Sequence, residues 1–133
     1  MEPDAVRAAA HGDINLITLL MGASAAGLEI LSKNNNWVPV TALPGQLVVN
    51  VGDMLERLTN KRLRSTIHRV VNPAGADLSS SRYSIPFFMH PKSDMDLTCL
   101  DSCVDGENPK EFQDITAGEF LEQRLIEIGL KPG

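Results

Sequence analysis

Short apolar segments separated by turn-forming residues constrain this chain more than any other feature of its sequence. The segments are rich in valine, isoleucine, leucine and threonine, and glycine, proline, asparagine or aspartate interrupts them about every 8–12 residues. Roughly seven or eight strands are predicted, the last at Asp96–Leu100, and helix is predicted at only two places. This pattern predicts an all-β barrel or sandwich of the jelly-roll type, forming one domain over residues 1–133.

Capping patterns place the two predicted helices. The segment Asp53–Glu56 has the acceptor and glutamate spacing of a capping box, which predicts a short helix near 54–59. The segment Thr116–Glu119 has the same spacing and predicts a longer helix near 117–128, which Gly129 would end.

The composition excludes several classes of protein. Hydrophobic residues make up 43% and charged residues 22% of the chain, as in an ordinary globular domain. A formal net charge of −5 argues against nucleic-acid binding, and the most apolar stretch, Leu16–Met21, is too short to span a bilayer. Without a recognisable signal sequence, a cytoplasmic protein that binds no membrane is expected, with Cys99 and Cys103 as free thiols.

The tripeptide His11-Gly12-Asp13 offers two ligands for one metal ion. Because residues i and i+2 of an extended segment point to the same face, His11 and Asp13 can reach a common ion. A third ligand must come from another strand, and His68 is the natural candidate. Two imidazoles and a carboxylate form the ligand set of a facial-triad Fe(II) site, with three coordination positions left open. A three-ligand zinc hydrolase has compatible ligands and stays open.

Arg82 and Ser84 are also i and i+2 on a predicted strand. A guanidinium binds a carboxylate through two parallel hydrogen bonds, and a hydroxyl two residues later can add a third. This pair is therefore predicted to hold the carboxylate of a co-substrate. A chelating 2-oxo acid would take two of the open metal positions and O₂ the third, whereas hydrolysis on zinc would have no need of the arginine.

The same alternation predicts the walls of the pocket. Thr66 and Val70 would share the face of His68, and Phe88 would share the face of Arg82. Turn and capping chemistry accounts for four residues that are predicted to have no part in the site: Gly45, Asn50, Gly52 and Asp53.

Taken together, these residues resemble the iron/2-oxoglutarate-dependent dioxygenases of the isopenicillin N synthase-like type. The resemblance covers roughly residues 6–130. Besides the site residues, it includes the stretches Ile17–Leu20, Gly27–Ile30, Trp37–Val40, Pro44–Gly45, Val48–Asp53, Leu58–Asn60, Ser65–Pro73 and Arg82–Phe88. As a combined pattern it is highly specific.

The resemblance implies a double-stranded β-helix with Fe(II) bound by His11, Asp13 and His68. It further implies that Arg82 and Ser84 hold the distal carboxylate of 2-oxoglutarate. The implied activity couples decarboxylation of 2-oxoglutarate to hydroxylation, desaturation or cyclisation of a small organic substrate. Some members of the family use the Arg-x-Ser pair for the substrate's own carboxylate, and this alternative stays open.

The chain also departs from the family. Members usually carry a helical N-terminal region and a first core strand before the His-x-Asp motif, so this chain is expected to be the C-terminal catalytic part. A missing strand predicts an exposed sheet edge and self-association through it. Gly12 stands where serine, threonine or an acidic residue is common, which is predicted to loosen the ligand loop. The alternative function is a truncated, catalytically silent jelly-roll module that binds a metal or a small acid.

Overall fold

The computed structural model describes residues 6–21, 26–72 and 83–132, and these residues form two antiparallel sheets and two α-helices. The strands are β1 (Val6–His11), β2 (Ile17–Met21), β3 (Leu28–Leu31), β4 (Trp37–Pro39), β5 (Leu47–Val51), β6 (His68–Val71) and β7 (Ile85–Met89). The helices are α1 (Asp53–Leu58) and α2 (Ala117–Glu127), and Asp101–Cys103 form one turn of 3₁₀ helix. The predicted all-β class and the positions of both helices are confirmed.

One sheet has the strand order β1-β6-β3-β4 and the other has the order β5-β2-β7. The chain crosses repeatedly between them, so that, apart from the β3–β4 hairpin, neighbouring strands within a sheet are not consecutive in sequence, as in a jelly roll. Within the described part of the chain, β7 and β5 are the outer strands of the three-stranded sheet. Helix α2 follows all seven strands along the chain.

Buried apolar side chains that pack on one another lie at the two helices rather than between the sheets. They form a cluster of four: Met54, Leu97, Ala117 and Phe120. Leu97 contributes to this core although the predicted strand at Asp96–Leu100 is wrong, because only Asp96 makes an isolated bridge, to Thr116. A β-prone segment needs a continuous pairing partner to become a strand, and here the backbone bonds of Leu97 and Leu100 go to separate segments, at Ile115 and Leu58.

Helix α1 begins against the loop that carries Asp13. The backbone N–H groups of residues 52–54 donate to the carbonyl groups of residues 13–16 at 2.8–3.2 Å. A Cβ atom at Gly52 would lie 2.1 Å from the carbonyl oxygen of Asn15, so glycine is needed for this close approach. The N-cap is Gly52, with no side-chain cap, and the predicted capping box at Asp53–Glu56 is therefore wrong.

Helix α2 has the predicted ends. Thr116 and Glu119 form a complete capping box, in which each side chain accepts from the other residue's backbone N–H. At the other end Gly129 has a φ of 75°, and the N–H groups of Gly129 and Leu130 donate to the carbonyls of Ile126 and Leu125. This pattern is a Schellman motif, which satisfies the last carbonyls of the helix.

Asn60, directly after α1, attaches the segment that leads to α2. It is fully buried, and its amide nitrogen donates to the carbonyls of Pro109 at 3.0 Å and Asn108 at 3.2 Å. Its side-chain oxygen accepts from the N–H of Glu111 at 2.9 Å. One buried side chain therefore satisfies several backbone groups of an irregular segment.

Two further expectations concern individual features. Cys99 and Cys103 are free and buried, as predicted. Among the helices that the structure describes, none has the length and apolar character needed to cross a membrane.

Candidate metal centre

The two histidines of the predicted triad face each other across neighbouring strands. His11 ends β1 and is the register partner of His68, which begins β6. Directly opposed residues of an antiparallel pair point to the same face, and here the two ring centroids are 4.4 Å apart. The register of β1 shifts twice before it reaches His11. Such irregularities re-aim side chains near functional sites.

Hydrogen bonds to the backbone set the tautomer of both imidazole rings. The Nδ1 atom of His11 lies 2.6 Å from the carbonyl oxygen of Ala9, and that of His68 lies 2.9 Å from the carbonyl oxygen of Thr66. A carbonyl oxygen only accepts, so each Nδ1 carries the proton in the neutral ring. The Nε2 lone pairs are then available, which is how metal-binding histidines are commonly oriented.

Asp13 presents one carboxylate oxygen to the histidines and the other to the protein. Its Oδ1 atom lies 3.9 Å from Nε2 of His11 and 3.7 Å from Nε2 of His68, too far for hydrogen bonds. Its Oδ2 atom accepts hydrogen bonds from the Thr18 hydroxyl at 2.5 Å and from the Asn50 amide at 2.9 Å. Asp13 itself is buried, with 7% of its surface exposed.

The three side chains offer ligand atoms that all lie within 4.8 Å of one another. Imidazole nitrogens and a carboxylate oxygen that converge without hydrogen-bonding one another are suited to holding a cation between them. The donor set fits the facial arrangement of two histidines and one carboxylate that non-haem Fe(II) sites use. The structure thus brings together the three residues that the sequence selects from distant positions.

A cavity of about 160 Å³ between the two sheets adjoins these ligands. Its walls are alternate residues of five strands, together with His11 and Asp13: Thr18 and Leu20 of β2, Leu28 and Ile30 of β3, Val48 and Asn50 of β5, His68 and Val70 of β6, and Ser84, Pro86 and Phe88 at β7. Val70 and Phe88 therefore line the cavity as predicted. Thr66 is not among the lining residues, and it contributes its carbonyl group to His68 instead.

Two residues that contact Asp13 escape prediction from the sequence. The attribution of Asn50 to turn chemistry is wrong, because its amide donates to Asp13 from the middle of the site. Thr18 lies directly opposite Asn50 in the β2–β5 ladder, so both side chains reach the same carboxylate oxygen. The alternation of Val48 and Asn50 on a strand is the signal that could have placed Asn50 in the pocket.

The predicted carboxylate-binding pair is described only in part. Ser84 directly precedes β7 and lines the cavity. Arg82 lies outside the described residues. The role of this pair therefore stays a prediction.

Antiparallel sheets in a jelly roll, with two histidines and an aspartate around one point, define a metal-binding class of β protein. Residues 1–91 match the model of the 2OG-Fe(II) oxygenase superfamily. The chain belongs to this family, and the resemblance identified from its motifs is confirmed.

The curated relatives include plant and fungal proteins. Azadirone synthase LFS from Melia azedarach is 36% identical over 129 residues, which cover 94% of this chain and 37% of that protein. The 2-oxoglutarate-Fe(II) type oxidoreductase hxnY from Emericella nidulans is 42% identical over 114 residues, which cover 84% of this chain and 31% of that protein. The chain thus spans about a third of the length of these relatives.

Solved structures confirm the jelly-roll fold. A 2OG-Fe(II) oxygenase family protein from Caulobacter crescentus has a TM-score of 0.87 and 56% identity, covering 92% of this chain and 40% of that one. A full-length protein from Neurospora crassa, in complex with alpha-KG and 5-formyluracil, has a TM-score of 0.85 and 35% identity with the same coverage. The expected cofactors, Fe(II) and 2-oxoglutarate, agree with the family and with the alpha-KG bound in the Neurospora protein.

Proposed function

We propose that this protein is an Fe(II)-dependent oxygenase that uses 2-oxoglutarate and O₂ to oxidise a small organic substrate. The observation that carries the proposal is the convergence of Nε2 of His11, Nε2 of His68 and Oδ1 of Asp13 beside a cavity, in a chain of this family. We propose these three residues as the ligands of the iron. When bound, iron would supply the redox chemistry that no side chain of the site can supply.

The described residues support a separate task for each part of the site. The backbone carbonyls of Ala9 and Thr66 orient the imidazole rings, so that Nε2 of each ring is available. The cavity walls at Leu20, Val70 and Phe88 are apolar and would exclude water from the co-substrate. In such surroundings the hydrogen bonds to a carboxylate are stronger than in water.

We propose that Arg82 and Ser84 bind the distal carboxylate of 2-oxoglutarate. The position of Ser84 among the residues that line the cavity beside the proposed metal ligands supports this assignment. A guanidinium two residues earlier would complete a charge-assisted clamp. A substrate carboxylate in the same place is the alternative use of this pair.

A second candidate function rests on the exposure of His11, whose side chain is 50% accessible. A ligand open to solvent favours a silent jelly-roll module that binds a metal or a small acid without turnover. Electrostatic interactions that stabilise a reacting group are weaker in a site open to water than in one that excludes water, so turnover is less favoured.

Anaerobic reconstitution separates these functions. With Fe(II) and 2-oxoglutarate, the proposed enzyme should show the weak visible charge-transfer band of the chelate, and Arg82→Ala should weaken or remove it. Under O₂ the wild type should then form succinate even without its prime substrate. A band without succinate would support the silent module, and the absence of any band in the wild type would refute the co-substrate assignment.

We also propose that the chain self-associates through the edge of the β5-β2-β7 sheet. Support comes from the edge strands β5 and β7, which pair only with β2 among the described residues and carry large apolar side chains that are 40–64% exposed: Leu47, Val49, Ile85, Phe87 and Met89. Sedimentation velocity over a dilution series should show a concentration-dependent average mass, and Phe87→Lys should reduce it. A monomer at all concentrations would contradict self-association.

A further inference from the structure

We propose that Thr18 and Asn50 are positioning residues that restrict Asp13 to metal binding through Oδ1 alone. This inference rests on the proposed function, because it concerns how many coordination positions the protein leaves for the co-substrate and O₂. A carboxylate can bind a metal through one oxygen or through both. The residues around Asp13 decide between these two modes.

Two hydrogen bonds hold Oδ2 of Asp13 on the side away from the histidines. The Thr18 hydroxyl donates to it at 2.5 Å and the Asn50 amide at 2.9 Å, from directly opposed positions on β2 and β5. Hydrogen bonds to an ionised carboxylate are roughly twice as strong as those between neutral groups. A metal could bind Oδ2 as well as Oδ1 only if the carboxylate rotated and these bonds were broken.

Asn15 sets the direction in which the Thr18 hydroxyl donates its proton. Its amide nitrogen donates to Oγ1 of Thr18 at 3.1 Å and to the carbonyl of Ile17 at 2.9 Å. A hydroxyl has one proton, so Thr18 can accept from Asn15 and still donate to Asp13. The reverse contact, from Oγ1 of Thr18 to the side-chain oxygen of Asn15, is longer, at 3.5 Å.

Burial makes this chain of hydrogen bonds difficult to rearrange. Asn15 is 1%, Thr18 3% and Asp13 7% exposed, so water cannot easily replace a lost partner. Leaving a buried polar group unpaired costs free energy, so the hydrogen bonds among these three residues favour one arrangement. Asp13 is fixed with Oδ2 turned into the protein and Oδ1 turned toward the histidines.

The consequence concerns the remaining coordination positions. Two histidines and one carboxylate oxygen leave three positions of an octahedral ion, enough for a chelating 2-oxo acid and one further ligand. A second oxygen from Asp13 would leave only two. Thr18 and Asn50 thus add no ligand themselves, but they keep the third coordination position of the metal ion open.

The test compares Thr18→Val and Asn50→Leu, which remove one donor each with little change in volume, with wild type. Zn²⁺ alone is the first probe. A carboxylate bound through one oxygen has a wider separation between its two infrared stretching bands than one bound through both. The Zn²⁺-induced difference spectrum should show the wide separation in wild type and a narrower one in both variants.

The second readout is the affinity for 2-oxoglutarate of the Fe(II)-saturated protein in the absence of O₂. The intensity of the charge-transfer band measures how much 2-oxoglutarate is bound. Each variant should bind 2-oxoglutarate at least about tenfold more weakly, a typical effect of removing a partner of a metal ligand. Thr18→Ser keeps the hydroxyl and should restore the wild-type value. Thr98→Val is the matched control, because it removes a 2.6 Å threonine–aspartate hydrogen bond to Asp96, outside the site.

The outcomes separate this inference from the proposed function. If wild type shows no charge-transfer band, the proposed function fails, while the Zn²⁺ spectra still test how Asp13 binds. If wild type shows the band but both folded variants keep the wide infrared separation and the wild-type affinity for 2-oxoglutarate, the positioning role is refuted. Circular dichroism checks the fold of each variant. If one of Thr18→Val and Asn50→Leu does not fold, the other variant alone tests the positioning role.

Discussion

Replacing Gly52 by alanine should damage both the fold and the metal site, because this residue lies where α1 meets the ligand loop. The added Cβ would be placed 2.1 Å from the carbonyl oxygen of Asn15 and 2.8 Å from its carbonyl carbon. Both atoms belong to the backbone, so no side-chain rotation can relieve the overlap. The N-terminus of the helix must move away from the loop, which separates the N–H groups of residues 52–54 from their carbonyl partners.

The contacts set the size of the expected effect. Three N–H groups lose their partners wholly or in part, at about 0.5–1.5 kcal/mol per hydrogen bond. Overpacking of a close contact alone costs about 1–3 kcal/mol. We therefore expect Gly52→Ala to lower the free energy of unfolding by about 3–7 kcal/mol, a large part of the roughly 5–15 kcal/mol of a typical domain.

Urea denaturation followed by circular dichroism measures this loss, and Zn²⁺ titration of the folded variant should also show weaker binding, since Asp13 belongs to the displaced loop. Gly106→Ala is the matched control. A Cβ at Gly106 would meet nothing within 4 Å, so this variant should stay within about 0.5 kcal/mol of wild type. A Gly52→Ala protein as stable as the control would refute the close-approach argument.

Three further predictions concern other parts of the molecule. His68→Ala should abolish tight Fe(II) binding, and a variant that retains stoichiometric iron in metal analysis would exclude His68 as a ligand. Asn60→Ala should lower the free energy of unfolding by about 2–4 kcal/mol in urea, because it removes three hydrogen bonds from the buried Asn60 side chain to backbone groups. The Thr116 hydrogen bonds lower the pKa of Glu119 below its ordinary 4.5. A lowered pKa means that this stabilisation is present above pH 4.5 and is lost as the pH falls through the folded-state value. Thr116→Ala should therefore destabilise the protein more at about pH 7 than at about pH 3, and an equal loss at both values would contradict the role of the glutamate.

Features that depend on local spacing could be predicted from the sequence. The alternation of strand residues identifies Val70 and Phe88 as cavity walls, because side-chain direction in a strand follows from position alone. The capping box predicted at Thr116–Glu119 is also confirmed, since both of its partners lie within one turn.

Features that depend on remote partners could not be predicted in the same way. Asp53–Glu56 has the spacing of a capping box, but the N–H groups at the start of α1 bind carbonyls of the ligand loop instead. Asn50 resembles a turn residue locally, and its role follows from a hydrogen bond to Asp13, which is far away in the sequence. Tertiary contacts outweigh local preference at these positions.

The pairing of His11 with His68 makes ion binding sensitive to strand alignment. The side chains of a strand alternate, so sliding β6 by one residue along β1 would carry the second imidazole to the opposite side of the sheet. Only one alignment therefore assembles the ligand set, and an ion that binds this alignment alone would stabilise it by mass action. Metal affinity then reports on backbone alignment as well as on the ligands, so substitutions in β1 or β6 that touch no ligand can still weaken it by shifting one strand against the other.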